Sequence, residues 1–550
     1  MASQTWFRSL LLAFATSALS ACSNPETDVS TRPVVDLQQG RLAGEREGNL
    51  DVYRAIPYAA PPVGDARWKA PGPAPSWKDV RDASVFGPAC IQPPVPETSL
   101  YYDPPADSSE DCLTLNVWAD ADAETAPVIV WIHGGSLRIG SSAEPMYDGS
   151  EFARRGAVFV SINYRLGALG YLAHADLSAE SPDGVSGNYG LRDQIAALKW
   201  VRDNIEAFGG DPSNVTIMGE SAGALSVSYL LTSPEAEGLF HKAIIESPNS
   251  RNFPELKTAA YGLPSAEAIG ASVFAKLGVE TLEAARAMDA QDLTNRAGFA
   301  PQGTIDGKML PLQIVDAFDA GRFSKVPVLA GFNSGEVRAQ RAFAPRPPES
   351  SEAYEAAITA RYGDRAEAFL DIYPADDVQG SILATLRDAI YGWAAERIVL
   401  KEAAAGQPAF MYIFDYCYPA AEAEDLCAFH ASEVPFVFGN LAPESLPPNW
   451  PVPDGEEDRG ISDALLDYWT SFAATGRPES AYGPVWSPYG QDQSYLDIGQ
   501  TLASRTDPIP GMFELHEQLV AQRKTAGESW FLNIGLGARP LGDAAGEQVE

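Results

Sequence analysis

The chain has 550 residues, of which 45% are hydrophobic, and this composition excludes both a disordered protein and a small scaffold held together by disulfides. Its 39 Lys and Arg against 74 Asp and Glu give a formal charge of −35, which argues against a nucleic-acid partner and repels anionic substrates at long range. Five His and five Cys are too few for a multi-metal site; a carboxylate site stays possible, but neither a metal nor a cofactor is predicted.

The N-terminal residues are predicted to be an export signal. Arg8 provides a positive charge, and the apolar stretch at 10–19 is too short to cross a bilayer as a helix. The stretch ends in LSAC at 19–22, which resembles the bacterial lipoprotein cleavage box. We therefore expect residues 1–21 to be removed and Cys22 to carry lipid; the alternative is an ordinary secretory signal in which Cys22 occurs by chance.

The polar residues 22–33 predict a tether that follows this anchor. Ser23 is not Asp, which favours sorting to the outer membrane in a Gram-negative cell. No later run is long enough for a membrane span. The protein is thus expected to be exported and held at the bacterial cell envelope through lipid alone, on the outer-membrane or periplasmic side. A secreted or periplasmic soluble form is the alternative, and the oligomeric state is not predicted.

Export makes disulfides possible for the four remaining cysteines. Cys90 and Cys112 are 22 positions apart, and Cys417 and Cys427 are 10 positions apart. Two local disulfides are predicted, each worth about 3 kcal/mol in the loop-entropy model. The alternative is four free thiols.

Three apolar runs predict buried strands of a parallel sheet, at 128–132, 158–162 and 215–218. A helix is predicted before the third run, because apolar residues recur there on one helical face: Leu191, Ile195, Leu198, Val201, Ile205 and Phe208. Glycines at 209–210 end it. Alternating strands and helices indicate an α/β fold, in which ligands bind at the carboxyl ends of the strands.

The sequence Gly219-Glu220-Ser221-Ala222-Gly223 has the G-x-S-x-G form, between the third predicted strand and an apolar helix predicted at 224–231. This context is that of a nucleophile elbow, whose glycines permit a sharp turn and close packing. Ser221 is the predicted nucleophile and needs an adjacent base. A tight structural turn is the alternative.

The sequence HGGS at 133–136 follows the first predicted strand. Glycine pairs at this place let backbone N–H groups face a developing oxyanion. The alternative is a plain turn at the end of the strand.

The chain resembles the type B carboxylesterase family, the cholinesterase-like α/β-hydrolases. The matching motifs are EDCLTLNV at 110–117, NYRLG at 163–167, GLRDQ at 190–194, FGGDP at 208–212, GESAG at 219–223, YWTSFA at 468–473 and GRP at 476–478. The resemblance implies one α/β-hydrolase domain over 34–540, with a mostly parallel sheet, flanking helices and insertions around the cleft. A flexible acidic tail is expected at 541–550.

The family order of Ser, acid and His leaves three histidines after Ser221. His430 lies in a segment that resembles the catalytic-His loop of the family, so it is the predicted general base. His241 is expected to be structural, either in the core or on the surface. His516 is expected to lie exposed in a terminal helix.

The predicted acid is Glu336, because a strand predicted at 326–331 is followed by Asn333-Ser334-Gly335-Glu336, which resembles the N-x-x-E of the family. Glu336 is expected to orient the base. Asp306 and Asp425 are the alternatives.

The resemblance also implies an oxyanion hole formed by the backbone N–H groups of Gly135, Ser136 and Ala222. Ser136 replaces the usual third glycine, and its bulk is expected to narrow the pocket. Glu220 and Ser247 are expected to support the triad without reacting. The expected activity is hydrolysis of neutral small or medium organic esters through an acyl-enzyme.

The same machinery could instead cleave amides, carbonates, carbamates or lactones, and a non-catalytic binding module is a further alternative. The loops at 93–105, 249–264 and 338–350 are expected to shape the cleft. A small-molecule ester is the expected partner.

Overall fold

The computed structural model describes residues 32–541. The predicted signal at 1–21, the lipid site Cys22, most of the tether and residues 542–550 of the tail lie outside the described residues. Arg32, within the predicted tether, donates hydrogen bonds of 2.6 Å to the backbone oxygens of Ala43 and Gly44. The folded domain therefore includes Arg32.

The described chain forms sixteen strands: β1 (Val34–Leu37), β2 (Gly40–Ala43), β3 (Glu45–Glu47), β4 (Leu50–Pro57), β5 (Arg81–Asp82), β6 (Ala89–Cys90), β7 (Ser108–Ser109), β8 (Thr114–Asp120), β9 (Ala126–Ile132), β10 (Val158–Ile162), β11 (Gly210–Glu220), β12 (Lys242–Glu246), β13 (Val328–Asn333), β14 (Ala409–Phe414), β15 (Ser494–Ile498) and β16 (Leu502–Thr506).

Seventeen α-helices lie within the same described range: α1 (Ser150–Arg154), α2 (Gly167–Tyr171), α3 (Ala175–Glu180), α4 (Tyr189–Asn204), α5 (Ala222–Thr232), α6 (Ala266–Leu277), α7 (Leu282–Ala287), α8 (Ala290–Ala297), α9 (Ile314–Asp319), α10 (Ser351–Tyr362), α11 (Ala366–Ile372), α12 (Val378–Arg387), α13 (Trp393–Ala404), α14 (Pro419–Ala423), α15 (Val434–Phe438), α16 (Glu456–Thr475) and α17 (Met512–Thr525).

A large sheet of the described chain has the strand order β16-β15-β14-β13-β12-β11-β9-β10-β8-β4-β3. The strands from β10 to β15 in this order pair in parallel, whereas β16 and the strands β8, β4 and β3 pair antiparallel at the two edges. The mostly parallel sheet predicted from the sequence is confirmed.

The sheet buries both of its faces, and this explains the continuous apolar runs. Along β9, Val128, Val130 and Ile132 join one core cluster with residues of α4, α5 and α13. Ile129 and Trp131 join a second cluster with residues of α1, α15 and α16. Because successive side chains of a strand point to opposite faces, a strand between two helical layers is apolar throughout.

Two predicted boundaries differ from those observed. The third strand begins at Gly210, inside the predicted stop of the preceding helix, and its pairing is irregular between Gly210 and Val215. The strand predicted at 326–331 begins two residues later, after Pro327, which has no N–H for the ladder.

The observed position of His516 differs from the one predicted. It lies in α17, a C-terminal helix as predicted, but it is fully buried rather than exposed. Its Nε2 is 2.8 Å from the hydroxyl oxygen of Tyr373, and burial lowers its pKa to about 4. The apolar residues of the helix did not reveal this, because the packing of Tyr373 against it is a tertiary contact.

Both predicted disulfides are present, between Cys90 and Cys112 and between Cys417 and Cys427. Such bonds are typical of extracellular or periplasmic proteins. Among residues 32–541, no helix has the length and apolar character needed to cross a membrane.

Candidate active site

The sharp turn between β11 and α5 holds Ser221 in an uncommon backbone conformation. Its φ is +54° and its ψ is −115°, a region that non-glycine residues rarely adopt. A Cβ on Gly223 would lie 2.0 Å from the backbone oxygen of Ile132, and one on Gly219 would lie 2.5 Å from the carbonyl carbon of Gly223. The two glycines are therefore needed for the turn to pack against β9.

Hydrogen bonds connect Ser221, His430 and Glu336 although they come from three separate parts of the chain. Nε2 of His430 is 2.8 Å from Oγ of Ser221, and Nδ1 is 2.5 Å from Oε2 of Glu336. A carboxylate only accepts, so Nδ1 carries a proton, and in the neutral imidazole Nε2 is free to accept from the hydroxyl. This arrangement suits proton abstraction from Ser221.

The carboxylate of Glu336 is fixed on its other oxygen as well. Oγ of Ser247 and the backbone N–H of Asn333 donate to Oε1, at 2.5 and 3.0 Å. Glu336 is fully buried, so these bonds replace water around its charge. Ser247, which the sequence analysis expected to support the triad, contacts the acid directly.

The two alternative acids contact residues other than His430. Asp306 accepts from the side chain of Asn188, at 3.1 Å, and Asp425 pairs with Arg338 and Arg341. Among the described residues, His430 contacts Glu336 and Glu220 instead.

Glu220 places a second buried carboxylate beside the imidazole of His430. Its Oε1 is 3.3 Å from Nε2 of His430. Burial lowers the pKa of His430, but the charges of Glu220 and Glu336 raise it by more, to about 9. Burial raises the pKa of Glu220 to about 7 against the opposing effect of His430. The electrostatics thus favour a proton on the histidine.

Two tyrosines that the sequence analysis did not single out also hold His430. The hydroxyl of Tyr101 donates to the backbone oxygen of His430 at 3.0 Å, and the ring of Tyr391 packs against the imidazole with centroids 5.0 Å apart. Tyr101 lies in the loop at 93–105, which was predicted to shape the cleft. Tyr391 lies in a π-helical turn, Asp388–Gly392, a feature frequent at functional sites.

Further buried carboxylates surround the site. Burial raises the pKa of Glu246 to about 8, which the indole N–H of Trp469 opposes and the charge of Glu220 assists. Burial also raises the pKa of Glu433 well above its usual range, and its side chain accepts from Asn333. Glu246 therefore favours its neutral form near neutral pH, and the pKa of Glu433 is shifted in the same direction. No local pattern identified them.

The loop after β9 presents backbone donors next to Ser221. The φ of Gly135 is +93° and that of Ser136 is +58°. Within residues 32–541 the N–H groups of both donate to no protein acceptor. A Cβ on Gly134 would lie 2.9 Å from Oε2 of Glu220, which places this loop against the elbow. The N–H of Ala222 is the first of α5 and has no acceptor within the helix.

His133 lies next to this loop, in surroundings that disfavour its protonation. It is fully buried, stacks on Tyr164 with ring centroids 4.5 Å apart, and has its pKa lowered to about 4 by burial. In the described residues, no three His, Cys, Asp or Glu side chains are grouped so as to hold a metal ion.

The chain is similar to known esterases over most of its length. A family model described as the carboxylesterase family matches residues 31–510. The chain is 38% identical to the fumonisin B1 esterase of Sphingopyxis macrogoltabida, covering 85% of this chain and 86% of that protein. It is 36% identical to the para-nitrobenzyl esterase of Bacillus subtilis, covering 87% and 97%. A solved PNB esterase structure superposes with a TM-score of 0.75 at 33% identity, covering 88% of this chain and 99% of that one.

Proposed function

Because the chain belongs to the carboxylesterase family, with its α/β-hydrolase fold, and is a serine carboxylic ester hydrolase, we propose that Ser221, His430 and Glu336 are its catalytic triad. The observation that carries this assignment is the hydrogen-bonded series from Oγ of Ser221 through the imidazole to the buried carboxylate. The roles follow from the chemistry of each group.

In the first half of the reaction, Nε2 of His430 takes the proton of Ser221 while Oγ attacks the ester carbonyl carbon. Glu336 keeps the proton on Nδ1 and stabilises the imidazolium that forms. The tetrahedral intermediate then collapses, the bond to the alcohol oxygen breaks, and His430 gives its proton to the leaving alcohol. An acyl-enzyme remains on Ser221.

In the second half, His430 removes a proton from water, whose oxygen attacks the acyl carbon, and the returned proton restores Ser221 as the carboxylic acid leaves. The negative oxygen of each tetrahedral intermediate is assigned to the backbone N–H groups of Gly135, Ser136 and Ala222. The unpaired N–H groups on the loop after β9 support this oxyanion hole. The side chain of Ser136 is not required, because the donor belongs to the backbone.

Neutral small or medium organic esters are the proposed substrates. The formal charge of −35 disfavours the approach of anions, and the similar protein from Bacillus subtilis is a para-nitrobenzyl esterase. Comparing para-nitrophenyl esters with the corresponding anilides separates ester hydrolysis from amide hydrolysis.

We further propose that the protein is exported and anchored by lipid on Cys22. The lipoprotein-like sequence at 19–22 supports the anchor, and the two disulfides support an oxidising compartment.

A Ser221→Ala variant tests the proposed nucleophile. We expect turnover of para-nitrophenyl esters to fall by about 10⁴-fold or more and covalent labelling by a fluorophosphonate to disappear. Ser228→Ala is the matched control, because Ser228 is buried in α5, the helix that follows Ser221, and its hydroxyl donates to the backbone oxygen of Ala224. Labelling or full turnover in Ser221→Ala would refute the assignment.

A further inference from the structure

The guanidinium of Arg251 lies near the active site without a counter-charge. Its Nε is buried and has no hydrogen-bond partner among residues 32–541. The contacts of the group are aromatic: its central carbon lies 5.9 Å from the ring centroid of Phe253 and 5.1 Å from that of Phe531. Burial lowers the pKa of Arg251, so the surroundings disfavour its charge as they stand.

Arg251, which is partly exposed, has no carboxylate partner, and in this it differs from the buried arginines of the described chain. Removing an unpaired charge from water costs several kcal/mol, so a buried arginine normally pairs with a carboxylate. The buried arginines here do so: Arg54 with Glu45 and Glu47, Arg67 with Glu110, Arg165 with Asp193, Arg397 with Asp319 and Glu517, and Arg523 with Glu528.

Two connections place Arg251 beside the triad. It lies four residues after Ser247, the donor to the carboxylate of Glu336. It is also close enough for its charge to oppose the rise in the pKa of Tyr391, whose ring lies 5.0 Å from the imidazole of His430. The side chain of Tyr391 therefore packs against the proposed general base and lies within electrostatic range of Arg251.

The loop that carries Arg251 offers further unpaired polar atoms. Nδ2 of Asn252 and Oδ1 of Asn249 are buried without a hydrogen-bond partner in the described chain. The loop is held in place from the other side, because Ser529 donates to Oδ1 of Asn252 at 2.7 Å and Trp530 donates to the backbone oxygen of Ser250 at 2.6 Å. Arg251 and Asn252 thus each carry a donor without a protein acceptor, on a segment that contacts with residues 529–530 hold in place.

We propose that Arg251, assisted by Asn252, binds a carboxylate carried by the ester substrate. The inference rests on the proposed function and adds esters with one remote carboxylate to the neutral esters. A guanidinium matches a carboxylate in charge and in hydrogen-bond geometry, and the aromatic surroundings strengthen the pair. The overall negative charge opposes only the long-range approach of such a substrate, whereas Arg251 acts at contact.

The test compares esters that differ in one charge. The acyl-side series is the monoethyl esters of succinic, adipic and suberic acids, each against the ester in which the free carboxyl is a primary amide. The alcohol-side pair is 4-(acetoxymethyl)benzoate and its primary amide. The measured quantity is the ratio of kcat/KM for the carboxylate over kcat/KM for the amide. The series locates the carboxylate relative to the scissile bond.

In Arg251→Met we expect this ratio to fall by about tenfold or more for the best carboxylate ester, mainly through KM, and by less in Arg251→Lys, which keeps the charge. Arg459→Met is the control, because Arg459 is exposed near the start of α16 and its loss changes the net charge equally. A thermal melt and fluorophosphonate labelling of each variant show that it is folded.

An unchanged ratio in Arg251→Met, or an equal fall in Arg459→Met, would overturn the inference. It would also be overturned if the enzyme hydrolyses the amide esters but no carboxylate ester, a result that leaves the proposed function intact. Absence of hydrolysis for every ester, together with absence of fluorophosphonate labelling, would instead be a failure of the proposed function.

Discussion

At the scale of single residues, the ionisation of His430 depends on two carboxylates with different positions. Glu336 bonds to Nδ1 and orients the ring, whereas Glu220 lies 3.3 Å from Nε2, the nitrogen that must accept the proton of Ser221. Both charges favour imidazolium, and together they outweigh burial and raise the pKa of His430 to about 9. The proposed base must be a neutral imidazole to accept a proton, whereas its surroundings favour imidazolium.

This balance predicts the pH dependence of catalysis. A general base acts when unprotonated, so kcat/KM should rise with pH through the pKa of His430 in the free enzyme. Glu220→Gln removes the charge nearest to Nε2 and should move the midpoint of this rise to lower pH, by about 1 pH unit or more. The measurement is kcat/KM for a neutral ester across pH 5 to about 10. A midpoint that stays in place or moves upward contradicts the proposed role of Glu220.

At the scale of elements, the turn between β11 and α5 packs so closely against β9 that it has no room for a side chain at Gly223. Gly223→Ala would put a Cβ 2.0 Å from the backbone oxygen of Ile132, which cannot move without shifting the strand. We expect unfolding to become easier by about 3 kcal/mol or more, with loss of activity. Gly460→Ala is the control, because a Cβ there meets nothing within 4 Å, and in α16 it should stabilise by about 1 kcal/mol. Chemical denaturation measures both, and a mild effect of Gly223→Ala would show that the elbow can relax.

The disulfide between Cys90 and Cys112 connects β6 to the residues just before β8. Replacing both cysteines by serine should lower the free energy of unfolding by about 3 kcal/mol, because a closed loop of 22 residues restricts the unfolded chain. Denaturation under oxidising conditions measures the difference. Full reduction of the wild-type protein should lower the free energy of unfolding by more, because it also breaks the disulfide between Cys417 and Cys427. A difference near zero between the serine variant and the oxidised wild type would mean that the disulfide between Cys90 and Cys112 hardly restricts the unfolded chain.

At the scale of the whole molecule, the proposed lipid on Cys22 decides where the catalytic domain works. Cys22→Ala should move the protein from the membrane fraction to the soluble fraction of the cell, while its specific ester hydrolysis stays the same. Fractionation followed by mass spectrometry of the N-terminus measures both the location and the acyl chains. A Cys22→Ala protein that remains membrane-bound would exclude lipid as the anchor.

Much of the site could be predicted from short stretches of sequence. The elbow around Ser221, the glycines at 134–135 and the cysteine pairs are local features, since a sharp turn or a short loop constrains neighbouring positions in the chain. The segments of His430 and Glu336 could be recognised by resemblance to the family. The strands predicted from apolar runs are confirmed. A strand that is buried on both faces carries apolar residues at successive positions, so it can be recognised from the sequence.

The tertiary structure alone decided which other groups surround the triad. Tyr101 bonds to a backbone oxygen 329 positions away, and His516 is buried against Tyr373, which lies 143 positions from it. The same holds for Glu433 and for the unpaired guanidinium of Arg251, whose ring neighbour Phe531 lies near the other end of the chain. By itself, the sequence determined the fold class and put forward the reacting residues. The burial of His516, the raised pKa of Glu433 and the absence of a counter-charge at Arg251 depend on packing between distant segments. Only the folded chain could therefore decide them.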